Sequence, residues 1–263
     1  MNRFILAAIL IALAPAAHAF DSGAELAAVY AKEVERRLQV PDAERQRYAA
    51  LLGKALDAAG YAALAPQFFL LVDRNPNVQA VMIYWKSPAG EYLFIGASPV
   101  STGKPGEYDH FETPLGVFDH SLANPDFRAE GTTNVEGLRG LGKRGDRVYD
   151  FGWQTAKRGW GEGGESTMRL LVHSTDPAVL EKRIGRPQSK GCVRIPAGLN
   201  EFIDRYGILD ADYERAFAQR RQLWVLRADR QPTPWSGRYL VIIESDAVER
   251  PEWAPPGTAA TTR

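Results

Sequence analysis

Past residue 20 the apolar positions recur four apart. Leu26, Tyr30, Val34 and Leu38 fall on one helical face with charges between them, and Tyr48, Leu52, Leu56 and Ala59 repeat the spacing before Gly60. Pro41-Asp42 breaks the first run and starts the second. Two short amphipathic helices are therefore predicted within residues 20–66. They could pair as a hairpin, but their apolar stripe must rest on something larger. They read as an accessory layer, and nothing in them points to chemistry.

After Pro66 the pattern turns to β-branched and aromatic runs punctuated by Asn75-Pro76 and Pro88-Ala89-Gly90. Strands are predicted at 68–72, 78–85, 92–95, 168–173, 223–226 and 239–243. Helices are predicted at 177–184, 197–206 and 210–220. No regular β-α alternation appears, which argues against a parallel doubly wound sheet. The expected fold class is mostly β, of the α+β kind, with a few short helices and a small helical segment in front. Gly and Pro are dense over 96–164, which predicts long loops of the sort that line grooves. Residues 247–263, with Pro251, Pro255 and Pro256, read as a flexible tail.

The first nineteen residues have a pattern of their own. Arg3 precedes an apolar run from Phe4 to Ala17, and Ala17-His18-Ala19 fits a small-x-small cleavage site. That is the layout of a secretory signal peptide, and the run is too short for a comfortable membrane span. Residues 1–19 are thus expected to be a signal peptide, leaving an exported chain with no membrane span. Without them the chain carries 31 Lys and Arg against 32 Asp and Glu, a formal charge of −1. This balance gives no electrostatic footprint for nucleic acid.

Export sharpens the meaning of the single cysteine, Cys192. Exported proteins that use cysteine structurally tend to pair it, and one cysteine has no internal partner. His173 stands sixteen positions before Ser189, at the end of a predicted strand that would hold its ring. An imidazole near the thiol can take its proton and leave a thiolate at neutral pH. Gly191 permits a tight backbone approach in which successive N–H groups converge, as an oxyanion hole requires. A small buried hydrophobe and a hydrogen-bonded core histidine are the plainer alternatives. Other chemistries find little support. Ser101-Thr102-Gly103-Lys104 runs into Pro105 and lacks a Walker frame, and Gly161-Glu162-Gly163-Gly164 is no dinucleotide fingerprint. His110, His120 and His173 have no usual zinc-ligand spacing, so no metal is expected.

The segments Val172-His173-Ser174-Thr175-Asp176 and Ser189-Lys190-Gly191-Cys192-Val193-Arg194, with Leu180-Glu181 and Ile184-Gly185 between them, resemble the L,D-transpeptidase (YkuD-type) catalytic domain. Upstream, Val100-Ser101-Thr102-Gly103-Lys104 and Thr113-Pro114-Leu115-Gly116-Val117-Phe118 are similar to that family's other landmarks, in the same order. The resemblance covers about 68–206. It implies a β-sandwich or mixed-sheet catalytic domain, here over 67–246, and a periplasmic enzyme acting on peptidoglycan stem peptides. Cys192 would attack the carbonyl of the third stem residue at its bond to the terminal D-Ala. His173 would be base and then acid, held through the backbone oxygen of Ser174, with the N–H groups of Gly191 and Cys192 on the oxyanion. The acyl group would pass to an amine, giving a 3→3 cross-link or attachment to an outer-membrane or lipoprotein acceptor, without a cofactor. Ser189, Lys190 and Arg194 would serve the substrate side. Of these, Ser189 would order the loop, Lys190 would bring a cation to the thiol where many members have histidine, and Arg194 would hold a substrate carboxylate or brace the loop. A carboxypeptidase or endopeptidase that releases the acyl-enzyme to water, and a non-catalytic wall-binding module, are the alternatives.

Overall fold

The computed structural model describes residues 22–61 and 63–256. The expected signal peptide and residues 257–263 lie outside the described residues. The architecture is α+β with two mixed sheets, and helix and strand take comparable shares.

Helices α1 (Leu26–Glu33) and α2 (Asp42–Ala58) come first. They do not pair as a hairpin. A five-stranded sheet follows in the order β3-β2-β1-β9-β4, built from β1 (Gln67–Asp73), β2 (Ala80–Lys86), β3 (Tyr92–Pro99), β4 (Gly116–Asp119) and β9 (Tyr239–Ile243). The two helices cover its opposite faces. Leu26, Tyr30 and Val34 share a core with Phe68, Leu70 and Val72, whereas Tyr48, Leu52 and Leu56 share another with Phe69 and Leu71. Alternation along β1 sends successive side chains to opposite faces. Burial on both faces explains why β1 is apolar throughout. The helices thus complete the sheet's packing, and the Tyr30 hydroxyl lies 2.6 Å from Ser98 Oγ on β3.

A second sheet has the order β5-β6-β7-β8, from β5 (Phe127–Arg128), β6 (Arg147–Lys157), β7 (Glu165–His173) and β8 (Val193–Arg194). It buries Tyr149, Phe151, Leu170, Val172 and Val193 in the same core as Phe68, Leu70 and Leu240, so the two sheets pack as layers. Helix α3 (Ala197–Tyr206) closes this core with Leu199, Phe202 and Ile203, and α4 (Ala211–Ala218) follows it. Among the described residues, no helix is long and apolar enough to cross a membrane.

Strands β4, β5 and β6 fall inside the stretch expected to be long loops. The pattern of β6 is disguised because its polar residues are buried in an ion cluster. Arg147, wholly buried, donates from Nε to Asp126 (2.8 Å) and from Nη1 and Nη2 to Asp210 (2.8 and 2.6 Å). Arg128 forks onto Asp204 at 2.6 and 3.1 Å. His120 donates from Nδ1 to the Leu209 carbonyl (2.8 Å) and from Nε2 to Asp126 (2.7 Å), so its ring is an imidazolium. Three cations thus meet three carboxylates, which satisfies the charges that burial would otherwise penalise. A bulge at Gly152, whose φ is +75°, further interrupts the period of β6.

Three other segments depart from the sequence pattern. Residues 223–226, expected as a strand, form a turn, and the Val225 carbonyl accepts from Arg128. Over 177–184 there is only a short 3₁₀ turn (Glu181–Arg183), because Asp176 Oδ1 accepts from the N–H groups of Ala178 and Val179 and starts a turn instead. Residues 247–256 are pinned: Asn75 and Asn77 donate to the Ala247 carbonyl, Trp253 packs edge-on to Tyr48, and Ala254 is buried.

Candidate active site

The site forms where β7 ends beside β8. These strands run parallel, with Val172 opposite Val193 and His173 opposite Arg194. Aligned residues of neighbouring strands point to one face, and Cys192, two residues before Arg194, shares that face by alternation. Cys192 stands one residue before β8, which puts it diagonal to His173 in register and on the same face of the sheet.

The His173 ring is 3% exposed, and its Nδ1–H donates to the Ser174 carbonyl at 2.5 Å. That bond fixes the tautomer and leaves Nε2 as the acceptor. Burial, with the nearby Arg194 charge adding to it, holds the imidazole down at about 4 despite the Ser174 bond. Cys192 is half-buried against the shared core, and its S–H lies 3.7 Å from the Arg169 carbonyl. Burial pushes the thiol up, against a backbone hydrogen bond with Leu171 and then the Arg194 charge. The resting pair is consequently neutral thiol and neutral imidazole. This differs from the thiolate expected at neutral pH, because the low-polarity surroundings disfavour both charged forms.

Lys190 also departs from expectation. It is exposed, and its Nζ lies 3.2 Å from Asp109 Oδ2 on the neighbouring loop, so the cation acting on the thiol is Arg194. Arg194 Nη1 donates to the Gln188 carbonyl at 3.2 Å and braces the loop, while its Nε is buried without a hydrogen-bond partner among the described residues.

The loop that carries Cys192 is held from inside. Ser189, 1% exposed, accepts from the Gly191 N–H (3.0 Å) and donates to the Cys192 carbonyl (2.5 Å). Its hydroxyl is committed to the loop and does not face a groove. The Gly191 N–H, expected to face an oxyanion, is thus already given to Ser189. Gly191 has φ +130°, and a Cβ there would come within 2.6 Å of Met168 Sδ. Only glycine meets both conditions.

The segments around Ser101 and Thr113 arrive at the same loop. Ser101 and Arg194 exchange backbone hydrogen bonds of 2.9 Å in both directions, and the Ser189 N–H donates to the Thr102 carbonyl at 2.9 Å. The Thr113 hydroxyl accepts from the Gly103 N–H (2.8 Å) and donates to the Gly191 carbonyl (2.7 Å). Thr113 thus ties two sequence landmarks to the residue before the thiol. Sequence reading placed it in a landmark without giving it a role, and only the fold reveals its bridging bonds. Ser174 adds a further tie, donating from its hydroxyl to Asp146 at 2.5 Å.

Phe111 and Trp160, with ring centroids 4.8 Å apart, and the exposed Tyr108 form an aromatic wall on the Lys190 side. On the Arg194 side lies a cavity of about 630 Å³. Among the described residues no group of three or more His, Cys, Asp or Glu could hold a metal ion. A buried imidazole with one fixed N–H and a thiol on the same face of one sheet are the residue types that nucleophilic acyl chemistry uses. Compared with known proteins, the chain matches no family model and no curated relative.

Proposed function

We propose that the protein is an exported, periplasmic cysteine acyltransferase of the L,D-transpeptidase (YkuD-type) kind, acting on peptidoglycan stem peptides. The observation that carries this reading is that His173, its Nδ1 fixed by the Ser174 carbonyl, pairs across parallel strands with Arg194, two residues after Cys192. The gathering of the Ser101 and Thr113 segments on the nucleophile loop supports it, since those segments carry the rest of the sequence resemblance.

In the proposed reaction, His173 Nε2 takes the thiol proton as Cys192 Sγ attacks the carbonyl carbon of the third stem residue. Proton transfer accompanies attack because neither charged form is favoured at rest. The Cys192 N–H donates to the oxyanion. The imidazolium then returns its proton to the departing amine of D-Ala, leaving a thioester. An acceptor amine attacks the thioester, His173 takes the amine's proton, and the thiol is restored. The Ser174 carbonyl stabilises the imidazolium in both halves.

The test is mass spectrometry of the protein without residues 1–19, incubated with disaccharide-tetrapeptide, with Cys192→Ala alongside. A cross-linked dimer lacking one D-Ala supports transpeptidation. Monomeric tripeptide alone would make the protein a hydrolase. Turnover retained in Cys192→Ala would end the proposal. If no product forms, a carbapenem, which acylates enzymes of this family, separates an enzyme awaiting its acceptor from a wall-binding module: labelling of Cys192 indicates the former.

A further inference from the structure

We propose that the 630 Å³ cavity on the Arg194 side of the nucleophile loop is a carboxylate-binding subsite of the substrate groove, with Arg183, Arg186 and Arg194 as its cationic wall. The identity of its ligand as a stem-peptide carboxylate rests on the function proposed above; the cavity's preference for a carboxylate does not.

The cavity holds unsatisfied positive charge. Arg183 and Arg186 line the cavity, and neither has a side-chain hydrogen bond or ion pair among the described residues. Arg194 enters the same cavity with one bond to a main-chain carbonyl and a buried, unpartnered Nε. Lys104 also lines it, 3.8 Å from Glu107, while His110 gives its Nδ1–H to the Lys104 carbonyl and approaches Glu107 at 3.7 Å. Glu107 and Glu136 are the opposing acids, and Glu107 is already engaged by Lys104 and His110. The guanidinium wall is left with an excess of positive charge. Such groups favour planar anions that can accept two N–H bonds.

Position and rigidity add to this. Arg194 pairs with His173 across β7 and β8 and stands two residues after Cys192, so an anion held at its guanidinium lies at the loop that carries the thiol. The segment carrying Arg183 and Arg186 is braced at both ends. Arg36 donates to the carbonyls of Glu181 and Ile184, the Gly185 N–H donates to the Val100 carbonyl (2.8 Å), and the Gln188 N–H donates to the Thr102 carbonyl (2.9 Å). A stem peptide carries a free carboxylate near its scissile bond, and this cavity is where such a group would be paired.

The test reads the cavity through the thiol. Iodoacetate and iodoacetamide both alkylate by the same step, in which Sγ forms the new S–C bond, iodide leaves, and the thiol proton goes to His173 or buffer. They differ only in carboxylate against amide. Intact-mass kinetics give the iodoacetate-to-iodoacetamide rate ratio for Cys192, normalised to free N-acetylcysteine. A ratio raised about tenfold is expected at low ionic strength, falling toward that of the free thiol in high salt. In the double variant Arg183→Gln/Arg186→Gln the ratio should drop several-fold with the iodoacetamide rate unchanged, which also shows that the thiol's surroundings are intact. Equal ratios in the two proteins would overturn the subsite. Protection of Cys192 from iodoacetamide by stem tetrapeptide is measured separately. A raised ratio without protection would sink the peptidoglycan reading while leaving the carboxylate subsite standing.

Discussion

Replacing His173 by Gln should flatten the acid limb of the stability curve, because His173 is held neutral in the fold at pH values where it is charged in the unfolded chain. The folded imidazole titrates at about 4 against an ordinary 6.5. Between those values the unfolded chain binds a proton that the native state does not, so stability falls as pH falls. At about 1.4 kcal/mol per unit, the full gap corresponds to about 3 kcal/mol, of which about 2 kcal/mol is lost by pH 5. The side chain is buried, so little of this is screened away. Gln preserves a donor for the Ser174 carbonyl and cannot titrate. Urea unfolding followed by tryptophan fluorescence at pH 7.5 and pH 5 gives four free energies. Groups that titrate equally in both proteins cancel in the double difference. A double difference of about 2 kcal/mol, with wild type losing more, is expected. A value near zero would refute the neutral buried imidazole, and one of opposite sign would mean a resting thiolate–imidazolium pair.

Thr113→Val should cost about 1–3 kcal/mol by stranding the buried Gly103 N–H, and should slow alkylation or acylation of Cys192 beyond that cost because the Gly191 carbonyl loses its anchor; an alkylation rate identical to wild type would show that Thr113 does not shape the loop. Gly191→Ala combines a φ of +130° with a 2.6 Å approach to Met168 Sδ. Making room through Met168→Ala should therefore not restore reactivity, and recovery in that double variant, read by iodoacetamide labelling, would place the whole penalty on crowding. Asp210→Ala leaves Arg147 buried with two of its four carboxylate bonds, those to Asp126 and Asp204, and should destabilise by about 3–5 kcal/mol in urea unfolding; a loss below 1 kcal/mol would mean the guanidinium is hydrated. His120 is raised by Asp126, against the cost of burial, so its contribution is present below pH 6.5 and lost as pH rises through its folded value. His120→Gln should therefore flatten the alkaline limb, and an unchanged limb would contradict the imidazolium.

Legibility in the sequence followed how locally each feature is determined. Strand β9 and helix α3 match their predicted bounds, because a short β-branched run and an amphipathic stretch started by Pro196 each declare themselves. Strand β6 was hidden because Arg147 and Asp150 read as solvent-facing when the fold buries both. The helices α1 and α2 were visible, but their placement on opposite faces depends on the two-sided burial of β1, which is a tertiary fact. At the site, the sequence singled out His173 and the carbonyl of Ser174, which the structure joins by a hydrogen bond, and Cys192, which stands one residue before the strand paired with β7. The pairing of Lys190 with Asp109 joins two loops 81 residues apart, a contact with no local signature. The role of Thr113 depends on contacts across 78 residues and has no local signature.

Arg194 joins these observations into one electrostatic argument. Its charge lowers the thiol and the imidazole together, so it favours the thiolate while opposing the imidazolium that must receive the proton. The two effects offset, and burial then sets the resting state as neutral. A neutral thiol is a weak nucleophile and a poor target for oxidants. A carboxylate paired with Arg194 would weaken its opposition to the imidazolium while the bound carbonyl supplies an electrophile. Activation would then depend on the ligand and not on pH. On this view the cationic cavity and the neutral pair are parts of a single device, and removing the Arg183 and Arg186 charges should slow an anionic electrophile while sparing a neutral one.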